Sequence, residues 1–280
     1  MSSFSRYRLY QQATKIKSSS RPFIGAIHLD SAVFIVAKAM LNNPYAIFNE
    51  LVAVKLASFL GLPVANGLPL SGFSCSTEPR VKKETIFWGS ISVGEELPPA
   101  DCETMVKENE LVASGLIVFD GWIINLDRNE CNLTYRVDCN EIIAFDHEMS
   151  ICGCSGLDHL QKHKLDLSFL DGHAVAYHLK SLRFISYWIE RICKIHDERI
   201  WGAVEQHSDL LPNPIEYNKV AEELILRKKM LAYWFRDLQR NHAKTVFPCL
   251  EHDHIPLLDV CSEQPPKIVV EVPNDSSYSI

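Results

Sequence analysis

One stretch, residues 111–148, limits the possible fold more than any other part of the chain. Residues 111–124 form an apolar run that predicts a helix packed in a core. It gives way to Asn125-Leu126-Asp127-Arg128-Asn129-Glu130-Cys131-Asn132, a polar loop with no apolar periodicity. Residues 133–137 and 141–145 then alternate as two short strands around Asp138-Cys139-Asn140, the pattern of a hairpin. The second strand delivers Asp146-His147-Glu148. The order is therefore buried helix, acidic loop, hairpin, acid, with three oxygen-bearing side chains, Asp127, Asn132 and Asp146, placed at the ends of regular elements.

Those residue types suit one chemistry. Moving a phosphoryl group needs a carboxylate beside the attacking hydroxyl, plus a second carboxylate and an amide oxygen to hold a divalent cation against the phosphates. Asp127 stands where the first is needed, and Asn132 and Asp146 supply the oxygen donors magnesium prefers. The competing reading is a loop of solvated acids, since Asp and Asn are common in turns where they cap backbone groups.

Upstream, Ala32-Val33-Phe34-Ile35-Val36-Ala37-Lys38-Ala39-Met40 is strand-like, and Lys38 inside it is a candidate for the phosphates of a nucleotide, or else a solvated edge residue. Twelve residues on, Glu50 opens an apolar helical stretch that stops at Gly61-Leu62-Pro63. Glu50 is expected to pair with Lys38, or to act as an acid in the first helical turn.

Taken together, Phe34-Ile35-Val36-Ala37-Lys38, Asn49-Glu50-Leu51-Val52-Ala53, Gly61-Leu62-Pro63-Val64, the segment Trp122 through Leu133 and Phe145-Asp146-His147-Glu148 resemble the HipA-like kinase family over residues 20–240. The resemblance implies a two-lobed α+β protein-kinase-like fold, with a small antiparallel-sheet N-lobe and a mainly helical C-lobe. It implies Mg-ATP-dependent phosphorylation of serine or threonine on a protein, in systems that often include a regulatory partner. By position, Lys38 would contact ATP phosphates, Glu50 would hold Lys38, Asp127 would be the catalytic acid/base, Asn132 and Asp146 would bind Mg2+, and Arg128 would neutralise phosphate charge or brace the loop through its fork of donors. Glu148 is a further metal or water ligand, or a cap. Two other readings are a small-molecule phosphotransferase and a pseudokinase that binds nucleotide or a partner without turnover.

The chain departs from kinase patterns at its phosphate-covering loop. No Gly-x-Gly-x-x-Gly precedes the lysine strand, which leaves Gly25-Ala26-Ile27-His28-Leu29-Asp30-Ser31 as the place for it, with Gly25 and Ser31 as candidates. An adenine-facing hinge is expected at residues 87–94, where Phe87 and Ile91 offer flat apolar side chains. A polar loop at 71–84 precedes it, and Pro98-Pro99-Ala100-Asp101 separates the lobes.

The 280 residues, 47% hydrophobic, provide one two-lobed unit. The expected division is a flexible leader at 1–20, an N-lobe at 21–97, a helical C-lobe at 98–245 and an extension at 246–280. A net charge of −7, from 28 basic and 35 acidic residues, argues against direct nucleic-acid binding. The absence of a long apolar run argues against a membrane span. Nine cysteines, an odd number, with no apolar signal core at the start, fit a cytoplasmic protein with free thiols. Cys152-Gly153-Cys154 with His159 and His163 can be drawn as a zinc site, but the two-residue cysteine spacing suits an activation-segment-like loop better. The remaining expectation is a helical region over 165–239, broken at Pro212-Asn213-Pro214.

Overall fold

Ile35, Ala37 and Ala39 are buried while Val36, Lys38 and Met40 are partly exposed, the period-two alternation of a strand with one face on a core. This strand, β3 (Ala32–Ala39), lies at the centre of a five-stranded antiparallel sheet with β1 (Tyr7–Gln12), β2 (Phe23–His28), β4 (Gly67–Leu70) and β5 (Phe87–Ile91), in the spatial order β1-β2-β3-β5-β4. The structure, a computed structural model, describes residues 7–12, 23–28, 32–70, 85–91, 101–136, 139–162 and 167–251. Phe23, Ile35, Ala37, Leu70 and Phe87 close a small core on one face of the sheet. The alternation therefore sends Lys38 to the other face.

The rest is mainly helical, so the molecule is an α+β structure with a small antiparallel sheet at its N-terminal end. Helix α1 (Ala46–Leu60) ends at Gly61, whose φ of 70° is the left-handed conformation glycine adopts without a Cβ clash. After α2 (Cys102–Glu108), α3 (Glu110–Ile123) has every residue from Ala113 to Ile123 buried. A helix apolar on all sides sits in the centre of a core. Around it lie α5 (Ala174–His178), α6 (Ile185–Cys193) and the long α8 (Tyr217–Asn241). Buried Arg227 of α8 donates to the Trp122 and Gly121 carbonyls at 2.9 and 2.6 Å, placing a cation on the C-terminal end of α3, where the helix dipole favours it. Between α5 and α8 stand α6 and α7 (Asp197–Glu205), and the expected break at Pro212-Asn213-Pro214 falls just before α8. Short α4 (Leu157–Lys162) precedes these, and α9 (Ala243–Val246) follows α8.

The hairpin β6 (Leu133–Arg136) and β7 (Glu141–Ala144) forms as predicted, and it is fastened to the connector between α1 and β4. The Ala144 amide donates to Pro63 O at 2.8 Å, and the Ala65 amide donates to Ala144 O at 2.8 Å. These bonds fix the segment that follows β7 relative to the sheet carrying Lys38.

Three expectations need correction. Tyr7–Gln12, assigned to the leader, is the edge strand β1, paired with β2. Gly25 lies inside β2, opposite Ile35, so it belongs to a strand and not to a covering loop; Ser31, residues 71–84 and residues 92–100 lie outside the described residues. Helix α1 starts at Ala46, which puts Glu50 in its second turn, fully buried. Its apolar residues, including Phe48, Val52 and Leu56, belong to the large helical core and not to that of the sheet. Among the described residues no helix is long and apolar enough to cross a membrane.

Candidate active site

Three backbone segments meet where the sequence placed the acids. Helix α3 stops at Ile124, a β-branched residue at φ 57°, a conformation that costs on the order of 1–3 kcal/mol and persists only where its surroundings over-determine it. Asp120 supplies the constraint. Its main-chain carbonyl accepts from the Asn125 amide at 2.9 Å, and its Oδ1 accepts from Asn125 Nδ2 at 2.9 Å. The chain therefore turns sharply from a buried helix into the loop that exposes Asp127.

Asp127 sits at the tip of that loop, open to solvent. Its Oδ1 accepts from Asn129 Nδ2 at 2.8 Å, and its main-chain carbonyl accepts from Asn132 Nδ2 at 2.6 Å. With its NH2 turned to Asp127, Asn132 keeps its amide oxygen for another partner. The Phe145 amide donates to Asn132 O at 3.1 Å, which sets Asn132 beside Asp146. Asp146 itself has φ 61°, a second left-handed residue at the site.

Lys38 reaches across from β3. Its Nζ donates to Asp146 at 2.8 and 3.0 Å and to Glu148 Oε1 at 2.7 Å. Burial works against the ammonium charge, but the two carboxylates outweigh it and hold the Lys38 pKa above its ordinary value. Burial and the Asp146 charge push the Glu148 carboxyl up. Lys38 is thus paired as a site lysine would be, but its partner is not Glu50. Glu50 Oε1 accepts from the His147 backbone amide at 2.9 Å, and burial together with the Asp146 charge raises its carboxyl to about 8. Glu50 braces the turn around Asp146, and Glu148, closer along the open face, takes the lysine.

Of the two roles expected for Arg128, a phosphate contact and bracing of the loop, the geometry shows the second. Arg128 is 2% exposed, and its guanidinium bonds Asp120 Oδ2 at 2.8 Å, Asp120 Oδ1 at 3.1 Å, the Asn132 and Phe145 carbonyls at 3.0 and 2.8 Å, and His147 Nε2 at 2.8 Å. Its fork of donors is spent on the frame, so it braces the loop. The Arg128 charge, with the hydrogen bond from His173, keeps Asp120 well below the usual carboxylate range against the effect of burial. Burial and the same guanidinium lower His147 to about 3. Since Arg128 donates to Nε2, the ring proton of the neutral imidazole belongs on Nδ1, 3.5 Å from Glu50 Oε2.

Phe87, the candidate base contact, is fully enclosed and meets Phe23 edge to face at 5.9 Å. It serves the sheet core and has no face to offer a base. Cys152 is buried, its thiol pushed up by burial, while Cys154 is exposed. His159 faces Ile124 O at 3.4 Å, and His163 lies outside the described residues. Among the described residues no three His, Cys, Asp or Glu side chains gather where they could hold a metal ion by themselves. The hard oxygens of Asp146, Glu148 and Asn132 nonetheless fit magnesium, which is commonly held by one or two carboxylates plus substrate phosphates.

The residues that hold these groups in place were not evident beforehand. Asp120 had one signal, a lone acid in an apolar run. His173 had none. Asn49 of α1 is buried and clamps the segment after Asp146, donating to Glu148 O at 2.7 Å and Gly153 O at 3.1 Å and accepting from the Cys152 amide at 3.1 Å.

No protein-family model and no curated protein matches the chain. Among solved structures, it is similar to the Helicobacter pylori proinflammatory kinase CtkA, with 15% identity and a TM-score of 0.48 over 80% of this chain and 96% of that one. At this level of similarity, the residues and not the relative carry the functional reading.

Proposed function

We propose that the chain is a HipA-like phosphotransferase that moves the ATP γ-phosphate to a serine or threonine hydroxyl of a cytoplasmic protein. One observation carries this reading: Lys38 from the sheet converges with Asp146 and Glu148, 108 and 110 residues further on, beside a loop that exposes Asp127. A buried frame holds that loop while its reactive end stays open, the arrangement a positioned general base requires.

Lys38 would contact the nucleotide phosphates, leaving its carboxylate partners to the cation. Asn132 and Asp146, with Glu148 beside them, would hold magnesium, which when bound neutralises charge on the phosphates. Asp127 orients the acceptor hydroxyl and takes its proton. Arg128 and Glu50 keep the two halves of the site in register.

A nucleotide- or partner-binding module without turnover has one observation in its favour. All three Lys38 donor contacts already go to carboxylates, so nucleotide must displace a satisfied ion pair. Transfer of γ-labelled phosphate from Mg-ATP into the protein and into a cell extract decides between them. Labelling of protein that falls by about 10²–10⁴-fold in Asp127→Ala supports the kinase reading. Mg-ATP binding without labelling in the wild type supports the non-catalytic one, and label appearing only in small molecules points to a small-molecule acceptor.

A further inference from the structure

The acceptor side of the site has a wall of its own. A hollow beside Asp127 is lined by Asn125 and Asn129 on one side and by Phe169, Asp171 and Gly172 on the other. The second group comes from a segment more than forty residues later in the chain, which ends at His173, the N-cap of α5.

His173 uses both ring nitrogens. Nδ1 accepts from the Val175 and Ala176 amides at 3.2 and 3.3 Å, capping α5. A nitrogen that accepts carries no proton, so the ring proton lies on Nε2, which meets Asp120 Oδ2 at 3.0 Å. Asp120 thereby receives four hydrogen bonds, from Asn125, twice from Arg128 and from His173, and all of them are buried. The Ala174 amide adds a second tie, donating to Arg128 O at 2.9 Å.

We propose that His173 is a positioning residue that locks the wall at Phe169 to Gly172 to the Asp127 loop through Asp120, so that acceptor and base are held as one unit. Its catalytic consequence rests on the phosphotransfer reading above; the locking itself does not. Nucleotide enters from the Lys38 side, so loss of the lock should affect transfer to the acceptor and spare Mg-ATP binding.

Two variants separate this role from helix capping. Asn at 173 keeps a side-chain oxygen for the cap but is too short to span to Asp120. Gln reaches further with its amide but caps poorly. In His173→Asn, amide hydrogen exchange is expected to speed up by about tenfold in residues 124–133 and 167–178 and to stay unchanged in α8, because one buried charge-assisted hydrogen bond is lost. In His173→Gln the 124–133 segment keeps its protection. Phosphate transfer into protein is expected to fall by about tenfold or more in the Asn variant with Mg-ATP affinity within about twofold of wild type, the pattern of a misplaced acceptor wall. Unchanged exchange in His173→Asn overturns the lock. Unchanged transfer, or transfer and Mg-ATP affinity falling together, overturns its placement on the acceptor side. A wild type that transfers no phosphate overturns the phosphotransfer reading and the catalytic consequence with it, while the exchange comparison still decides whether His173 locks the loop.

Discussion

The site contains two ion-pair centres built on opposite plans. Asp120 and Arg128 are 0% exposed at both side chains, and each remaining donor and acceptor is bound to backbone, Asn125, His147 or His173. Lys38, Asp146 and Glu148 remain about one-fifth exposed, with the lysine ammonium bonded, among the described residues, to the two carboxylates. A buried pair whose every group is satisfied cannot exchange partners without leaving a charge stranded. A triad that is one-fifth exposed can, because water and an incoming ligand compensate each step. The first centre sets geometry and the second is available for binding, so disturbing them should reverse the order of effects on stability and on function.

The largest stability effect is expected at the frame. Arg128→Met strands Asp120 without its counter-ion and should cost about 3–5 kcal/mol in urea unfolding. A loss below about 1 kcal/mol would erase the distinction between the centres.

Next comes pH. His147, depressed to about 3 from an ordinary 6.5, stabilises the fold above pH 6.5, and that contribution is lost as pH falls through the interval. Glu50, raised to about 8 from 4.5, acts in the opposite sense: its contribution is present below pH 4.5 and lost as pH rises toward 8. The two slopes oppose one another between 4.5 and 6.5. Metal-free protein should therefore show a stability plateau there and decline on both sides, each group adding at most about 1.4 kcal/mol per pH unit. Glu50→Gln should flatten the alkaline decline and turn the plateau between 4.5 and 6.5 into a rise with pH, since only the His147 slope remains there; an unchanged alkaline limb in chemical denaturation would count against a buried, proton-holding Glu50.

Lys38→Met should cost only about 1 kcal/mol of stability while weakening Mg-ATP binding by at least about tenfold in calorimetry, the loss expected for a charged contact to phosphate. Equal nucleotide affinity in the variant would remove Lys38 from the binding role. The smallest stability change, within about 0.5 kcal/mol, is expected for exposed Asp127→Ala, although this is the substitution on which phosphate transfer should depend most. A large thermal destabilisation of Asp127→Ala would show that the residue belongs to the frame after all.

Much of the fold could be read from the sequence because period and punctuation are local signals. The β3 strand, the α3 run, the β6–β7 hairpin and the Gly61 stop appear where apolar spacing and turn residues put them. Asp127 and Asn132 of the loop were also legible, since their spacing lies within one short segment. Arg128 was visible with both of its roles open: a guanidinium that braces and one that meets phosphate look the same until burial is known. Glu50 misled for a related reason. An acid twelve residues after a lysine strand is well placed to pair with it, yet Asn49 and Glu50 both turn to the segment after Asp146, and Glu148 reaches the lysine first. Phe87 looked like a base-stacking ring, but the register of β5 against β3 turned it into the sheet core.

The sequence by itself determined the order of elements and which oxygen-bearing side chains the loop and the end of the hairpin present, because apolar periodicity and the spacing of Asp127 and Asn132 are properties of neighbouring residues. Tertiary structure alone decided which carboxylate holds Lys38, that Arg128 is buried rather than free, and that His173, more than fifty residues from Asp120, completes its hydrogen-bond set. Those outcomes depend on burial and on which partners arrive within hydrogen-bond distance, and neither is encoded at any single stretch of the chain.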